Sequence, residues 1–588
     1  MAALGGLSLR AFFIRSLPCG SIQSPISITR LIPQTHYKEA QSLIPSQTCG
    51  RSYSSTRPLR YDIDSHNEAV GQVSEQIKDY HARGIKYRIQ HGSTNSTRTA
   101  AKSTSFVNLS NLNHVIKVDT ATKTALVEPN VPMDRLVEAT LPYGLIPPVV
   151  MDFPGITVGG GYAGTSGESS SFRHGFFNKT LNWIELVLPD GTVTKVSSDS
   201  HPDLFHSAAG AVGTLGTTTL AELQLVKAED YVETTYHRVT SIESAVEKLK
   251  SFSTDPDITY LDGIMYSPTF GAIVTGRLTS IATSPIRRFS APSDPWFYQH
   301  VQSSLSWSTS DAQFMTETLP LAEYLFRYDR GGFWVGALAF KYFSFVPFNA
   351  WTRRFLDDFL HTRMMYTALH RGGAGREVIV QDVGVPYDNV PDFVRWTDQN
   401  TGIWPLWLCP LKTPAGRSFH PHLRKQSSLN PADGEKGDEG QEGAMLNIGL
   451  WGFCPPAPRG TDAYDHYIST NRAIEAKLSS VGGTKWLYAQ TFYPESEFWD
   501  IYGGRGWYDD LRAKYGASGL PSVYDKVATN TDAERRKRAS RSERIKGIWP
   551  IGGFWGIWEA IKSRSYVEAR ASKWKDIRPE DKNSRRGS

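Results

Sequence analysis

A chain of 588 residues, 40% hydrophobic and 21% charged, has room for two or three cores and the composition of a globular enzyme. A net charge of +5, spread rather than striped, sets nucleic acid aside as a partner. Four cysteines, Cys19, Cys49, Cys409 and Cys454, show no CxxC spacing, so no disulfide framework and no metal site is expected, and a reducing compartment is the default.

From Met1 to Arg60 the only acidic residue is Glu39, while Arg10, Arg15, Arg30, Arg51, Arg57 and Arg60 are scattered among serines. That pattern reads as a mitochondrial presequence, with "RSYSSTRPLR" resembling a processing region; the other reading is a disordered tail without an address. "MAALGGLSLRAFFI" is too short to span a bilayer. Between Tyr61 and Gly84 the spacing predicts a helix with a glycine stop. "HVIKVDTATKTALVEPNV" predicts strand, turn and strand, "NWIELVLPDGTVTKV" a hairpin turning on Asp190 and Gly191, and "GTTTLAELQLVKAED" a closing strand.

Between these strands, "PGITVGGGYAGTSGESSSFRHG" carries Gly159, Gly161 and Gly164 at the spacing of an NAD fingerprint. That fingerprint must follow a buried parallel strand and open the helix of a βαβ unit. Here Pro147, Pro148 and Pro154 precede it, and each removes a ladder donor, so the NAD reading is weak. Two further small-residue loops, "HGSTNSTR" and "GAVGTLGT", leave backbone N–H groups unobstructed for an anion. Three such loops suggest a long cofactor with a pyrophosphate, gripped at several points.

The glycine stretch, followed by "ELVLPDG" and "LFHSAAGAVGTLGTTTLAELQL", resembles the PCMH-type FAD-binding domain of the vanillyl-alcohol oxidase superfamily. Beyond it, "YLFRYDRGGFW", "GIWPLWLCPL", "WLYAQTFYPESEFWDIYGG" and "YDDLRAKYGASGLPSVYDKV" resemble the Delta(24)-sterol reductases of the Diminuto type, from about Tyr61 to Val527. The resemblance implies an α+β fold: a PCMH-type domain over 61–228 and a mixed substrate (cap) domain over 229–480, within which the polar, turn-rich stretch near 424–444 reads by its composition as a disordered, solvated loop. A segment over 481–529 would complete the site, while the basic tail over 530–588 is an addition that departs from the family. It implies FAD held by Gly92, Ser93, Thr94 and Asn95, by Thr157, Val158, Gly159, Gly160, Gly161, Tyr162, Ala163, Gly164, Thr165, Ser166, Gly167, Glu168 and Ser169, and by Gly213 and Gly216. Superfamily members often tether FAD through a histidine inside the first loop; here His91 precedes the glycine, so noncovalent FAD is expected unless His174 serves.

The implied activity is NADPH-dependent reduction of the Delta(24) side-chain double bond of a sterol or related isoprenoid, by hydride from reduced flavin. An isolated alkene needs a general acid, an apolar slot and π faces near the developing cation. Tyr488 and Tyr328 are the expected proton donors or orienting hydroxyls, the other reading of each being a buried tyrosine bonded to a backbone carbonyl. Arg327 and Arg330 read either as partners of reduced flavin or a nicotinamide phosphate, or as ion-pair partners of Asp329 and nearby acids. Phe326, Phe333, Trp334, Trp404, Trp407, Trp486, Phe492 and Tyr493 supply aromatic surface, most of it core.

The tail "ERRKRASRSERIKGIWPIGGFWGIWEAIKSR" places tryptophans between basic clusters, which suits a membrane headgroup boundary across 545–561 or packing on the protein's own surface. Pro550 and Gly552 make it too broken to span. The family usually begins with a hydrophobic anchor, and the arginine-rich start departs from that, leaving mitochondrial and endoplasmic reticulum membranes both open. Two rival readings are an FAD-linked oxidase of alcohols or terpenoids using dioxygen, and a lipid-binding surface protein with structural FAD.

Overall fold

The computed structural model describes residues 61–90, 105–307, 309–372, 377–413, 417–424 and 443–577. The expected presequence, the loop containing His91, Gly92, Ser93, Thr94 and Asn95, and the polar segment after Arg424 lie outside them. Helix Ile63–Ala82 begins where the Asp62 carboxylate accepts Ser65 N–H at 3.1 Å. Its apolar stripe, Val70, Val73 and Ile77, is buried against Val107, Leu109, Leu112 and Val187, at about 1.5–3 kcal/mol for each fully buried side chain.

The expected strand pairs are present. Val115–Asp119 pairs antiparallel with Thr124–Val127, and Leu181–Val187 pairs with Val193–Ser197 across a turn in which Gly191 sits at φ +86. Thr217–Gln224 lies between Thr124–Val127 and Leu181–Val187 and completes a five-stranded antiparallel sheet. Before the glycine stretch stands the two-residue strand Leu145–Ile146, paired antiparallel with Val226–Lys227. Among the described residues, no parallel strand leads directly into these glycines.

A second sheet of eight strands has the spatial order Phe314–Pro320, Tyr231–Val239, Phe270–Thr279, Tyr260–Ser267, Leu406–Lys412, Ala444–Phe453, Val378–Pro386 and Thr484–Lys485, again antiparallel throughout. Alternation sorts its side chains. Ile379, Val383, Leu408, Ile448 and Leu450 join the core under helices Ile242–Ser253, Val390–Thr401 and Ala463–Ser480. Asp382, Trp407, Asn447 and Trp451, one residue out of phase, line a cavity. Both faces being occupied, these strands read as continuous apolar runs such as "LWLCPL". The chain is an α+β protein.

In the tail, helix Ile551–Ser563 packs against helix Thr362–Gly372. Gly552, expected with Pro550 to break this segment as a bilayer span, lies inside the helix at one of its buried positions, Gly552, Gly556 and Ala560, a small-residue stripe that permits close approach. No helix among the described residues is long and apolar enough to cross a membrane.

Candidate functional site

The glycine stretch is fixed by its backbone. Val158 N–H donates to Val131 O at 2.9 Å and Gly159 N–H to Pro129 O at 2.7 Å. Thr157 Oγ1 caps the short helix Val158–Ala163 by accepting Gly160 N–H at 3.1 Å. A Cβ on Gly164 would lie 2.7 Å from Gly160 O, so the turn itself demands glycine there. Gly210, at φ +79, donates its N–H to Tyr162 O at 3.3 Å, bringing the loop with Gly213 and Gly216 alongside.

These loops line one part of a cavity of about 530 Å3, within the range of a cofactor site. Of the sequence-predicted residues, Thr157, Gly159, Gly160, Tyr162, Ala163, Gly164, Thr165, Ser166, Gly167, Glu168, Gly213 and Gly216 form its wall. Val158 is buried in the core, Gly161 packs beneath Met151 and Phe177, and Ser169 turns away, its carbonyl accepting Leu261 N–H at 2.7 Å. His174 is half-buried outside the wall, and burial and the Arg173 charge lower its pKa. Two cations that sequence reasoning missed also line the cavity, Arg88 and Lys526; Lys526 Nζ donates to Val212 O at 3.1 Å and Gly213 O at 3.2 Å.

The opposite wall is aromatic. Phe153, Phe333, Tyr366, Trp407 and Trp451 form a connected group, with ring centroids 5.5 Å apart for Phe153 and Tyr366, 4.8 Å for Phe333 and Trp451, and 6.0 Å for Trp407 and Trp451. The two walls are tied by Trp486, whose Nε1 donates to Thr165 O at 2.9 Å and whose N–H donates to Asp382 O at 3.0 Å. That pairing sets Tyr488, two residues on, against the Asp382 side chain: Tyr488 Oη donates to Asp382 Oδ2 at 2.6 Å.

Asp382 opposes Gly449 in register, and Gly449 opposes Trp407. A Cβ on Gly449 would lie 2.9 Å from Trp451 Cζ2 and 3.1 Å from both Asp382 Oδ1 and Trp407 Cβ, so glycine opens the space above this sheet. Burial pushes the Asp382 carboxyl up to about 7 against the opposing pull of the Tyr488 hydroxyl, and burial also raises Tyr488 well above its ordinary value. The pair therefore holds its protons near neutrality.

Arg327 and Tyr328 lie behind the wall, both almost fully buried. Arg327 bridges Asp152 Oδ1 at 3.0 Å and Asp262 Oδ2 at 2.9 Å; Tyr328 Oη and Trp407 Nε1 donate to the same Asp262 oxygen at 2.9 and 3.1 Å. Arg327 thus orients Asp152 and, through Asp262, the Trp407 ring, both of which face the cavity. Arg330 pairs with Asp357, Nε to Oδ1 at 2.9 Å, while Asp329 is held by His361 at 2.6 Å; of the two readings of Arg330, the structural one describes its contacts. Burial raises Asp152 to about 7, opposed by Arg327, and raises Glu168 well above the usual carboxylate range with help from the Asp152 charge.

Whether these residues suit FAD can be judged from the wall itself. Small residues leave one side open to a cofactor's backbone, two cations stand beside them, and aromatic rings flank the other side. Asp152 Oδ2, Asp382 Oδ1, Asn447 Oδ1 and Trp451 Nε1 are buried at the wall with no hydrogen-bond partner among the described residues. Such atoms are costly unless a bound polar group meets them. The residues fit the cofactor.

Residues 67–197 match an FAD binding domain family. Fold, site and match define an FAD-dependent oxidoreductase with a PCMH-type domain. The match to known proteins runs much further along the chain. It is 27% identical to the Delta(24)-sterol reductases of Rattus norvegicus and Homo sapiens over 79% of its own length and 86% of theirs. To that of Arabidopsis thaliana it is 28% identical, over 75% of its length and 79% of the relative's. Along most of its length the chain is similar to the Delta(24)-sterol reductases.

Proposed function

We propose that this protein reduces the Delta(24) side-chain double bond of a sterol or related isoprenoid, using NADPH and noncovalently held FAD. The single observation that carries the reading is a buried acid pair, Tyr488 and Asp382, set in an aromatic wall that shares its cavity with the glycine loops. Thr157, Gly159, Gly160, Tyr162, Ala163, Gly164, Thr165 and Ser166, with Gly210, Gly213, Gly216, Arg88 and Lys526, would hold the cofactor. Bound FAD supplies the hydride chemistry. Both large sheets of the described residues are antiparallel, unlike a dinucleotide-binding sheet, and NADPH would come to the same cavity.

The chain's own part is to hold the alkene, exclude water and move one proton. With Asp382 protonated, its carboxyl O–H donates to Tyr488 Oη, and the tyrosine O–H turns toward the substrate. As the alkene takes the Tyr488 proton, a C–H bond forms, the Tyr O–H bond breaks, and the Asp382 proton moves to Tyr488 Oη, leaving a carboxylate. The tertiary cation lies against the faces of Trp407, Trp451 and Phe333. We infer the working division as 61–228 for the cofactor, 229–480 for the substrate, 481–529 completing the site with Tyr488 and Lys526, and 530–588 as an added tail.

The test is incubation of purified protein with NADPH and a sterol extract, followed by mass spectrometry. A gain of two hydrogens, about 2 Da, on one sterol supports the reading. Peroxide production from an alcohol in air, with no sterol altered, would assign the oxidase reading instead.

A further inference from the structure

Helix Ile551–Ser563 is built inside out. Its small residues are buried and its large ones face solvent: Phe554, Trp555 and Trp558 are each more than two-fifths exposed. A second exposed aromatic segment lies beside it, in which Phe345 is 56% and Trp351 71% exposed. The two are continuous, since the Phe345 ring lies 6.2 Å from Trp549 and 6.3 Å from Phe554, and Trp549 Nε1 donates to Tyr342 O at 2.7 Å. Soluble monomers rarely leave so large an apolar area uncovered, and it marks a contact with something apolar.

Charge points to the occupant. Arg541, Arg544, Lys546, Lys562 and Arg564 bracket the aromatic residues against Glu543 and Glu559 alone. Lys546 Nζ lies 5.0 Å over the Trp555 ring and Lys562 Nζ 5.5 Å over Trp558, so ammonium groups stand at the border of the apolar area. Indole beside lysine, on a helix too short to span, is the chemistry of the lipid headgroup boundary.

We propose that helix Ile551–Ser563 and the Phe345–Trp351 segment together form one docking face for an anionic lipid bilayer. Its position bears on the cavity. The tail helix packs on Thr362–Gly372, and Tyr366 of that helix lines the cavity, so a single helix stands between the docking face and the lining. The membrane contact itself stands whether or not the substrate is a sterol. If the substrate reading also holds, a lipid substrate is collected from the leaflet on which the protein sits.

The full chain is sedimented with vesicles of phosphatidylcholine alone and of phosphatidylcholine with phosphatidylserine, without sterol or NADPH, so that failure here leaves the reductase reading untouched. Binding is expected to favour the anionic vesicles and to weaken with salt. Trp555→Ser with Trp558→Ser, and separately Phe345→Ser with Trp351→Ser, should each lower the apparent partition by roughly tenfold or more. Lys546→Glu with Lys562→Glu should remove the anionic preference, at about fivefold per charge. A circular dichroism melt verifies each variant's fold, and quenching of the wild-type tryptophan fluorescence by brominated lipid gives a readout that needs no variant. Wild-type binding by either aromatic pair, equal binding to both vesicle types, or absence of quenching would overturn the proposal. So would a dimer of the wild type that the aromatic substitutions dissociate, since the face would then belong to a second copy.

Discussion

Replacing Asp382 by asparagine tests the proposed proton relay most directly. Asp382 ionises at 3.8 when free and at about 7 in the fold, so it keeps its proton up to near neutrality and loses it above. A step that draws on the Tyr488–Asp382 proton should therefore be fast at acidic pH and slow as pH rises through about 7. A carboxamide has no proton to release in this range, so Asp382→Asn should be slow and flat across it, and Tyr488→Phe, with no hydroxyl, slower still. General acid catalysis contributes about 10²–10⁴-fold, or roughly 3–5 kcal/mol of barrier. The same carboxyl affects stability. Between about pH 4 and 7 the folded state holds a proton that the unfolded chain has released, so stability falls as pH rises through this window, by on the order of 4 kcal/mol in all. Asp382→Asn should remove that slope from denaturant unfolding. The kinetic assay is anaerobic single turnover, in which chemically reduced flavin is mixed with a Delta(24) sterol and its visible absorbance followed as it returns. Turnover by Tyr488→Phe close to wild type, or a limb near pH 7 that survives in Asp382→Asn, would refute the relay.

Gly160→Arg should give folded but colourless protein, because Gly160 is exposed into the cavity; absorbance of the purified protein and titration with FAD measure this. Arg327→Met should cost about 3–5 kcal/mol in denaturant unfolding at pH 8, where Asp152 and Asp262 lose their shared cation. Asp152 sits at about 7 even with Arg327 present, so the deficit should narrow as pH falls below neutrality. Gly449→Ala puts a methyl group 3.1 Å from Asp382 Oδ1 and Trp407 Cβ, and should lower stability by about 1–3 kcal/mol and slow turnover together, read by thermal melting and the single-turnover assay.

Local chemistry alone specified the strands that build the five-stranded sheet and excluded an NAD fingerprint at the glycine stretch. Asp190 and Gly191 specify their hairpin through backbone preference, and Pro147, Pro148 and Pro154 forbid the parallel strand that an NAD fingerprint needs, whatever the rest of the chain does. The eight-stranded sheet was not legible, because strands buried on both faces lose the alternation that announces them. Nor was the acid pair: Tyr488 stood out among aromatics, but its partner Asp382 lies 106 residues away and meets it through the Trp486–Asp382 backbone bond. Arg327 looked like a site residue by its neighbours in sequence, yet its side chain faces Asp152 and Asp262 behind the wall. In the tail, glycine reads as a helix breaker because of its intrinsic entropy cost, and only packing against Thr362–Gly372 shows Gly552 and Gly556 to be the helix's buried face. Spacing along the chain fixes what a residue prefers; which face it turns inward, and what it then touches, is decided when distant strands close over one another.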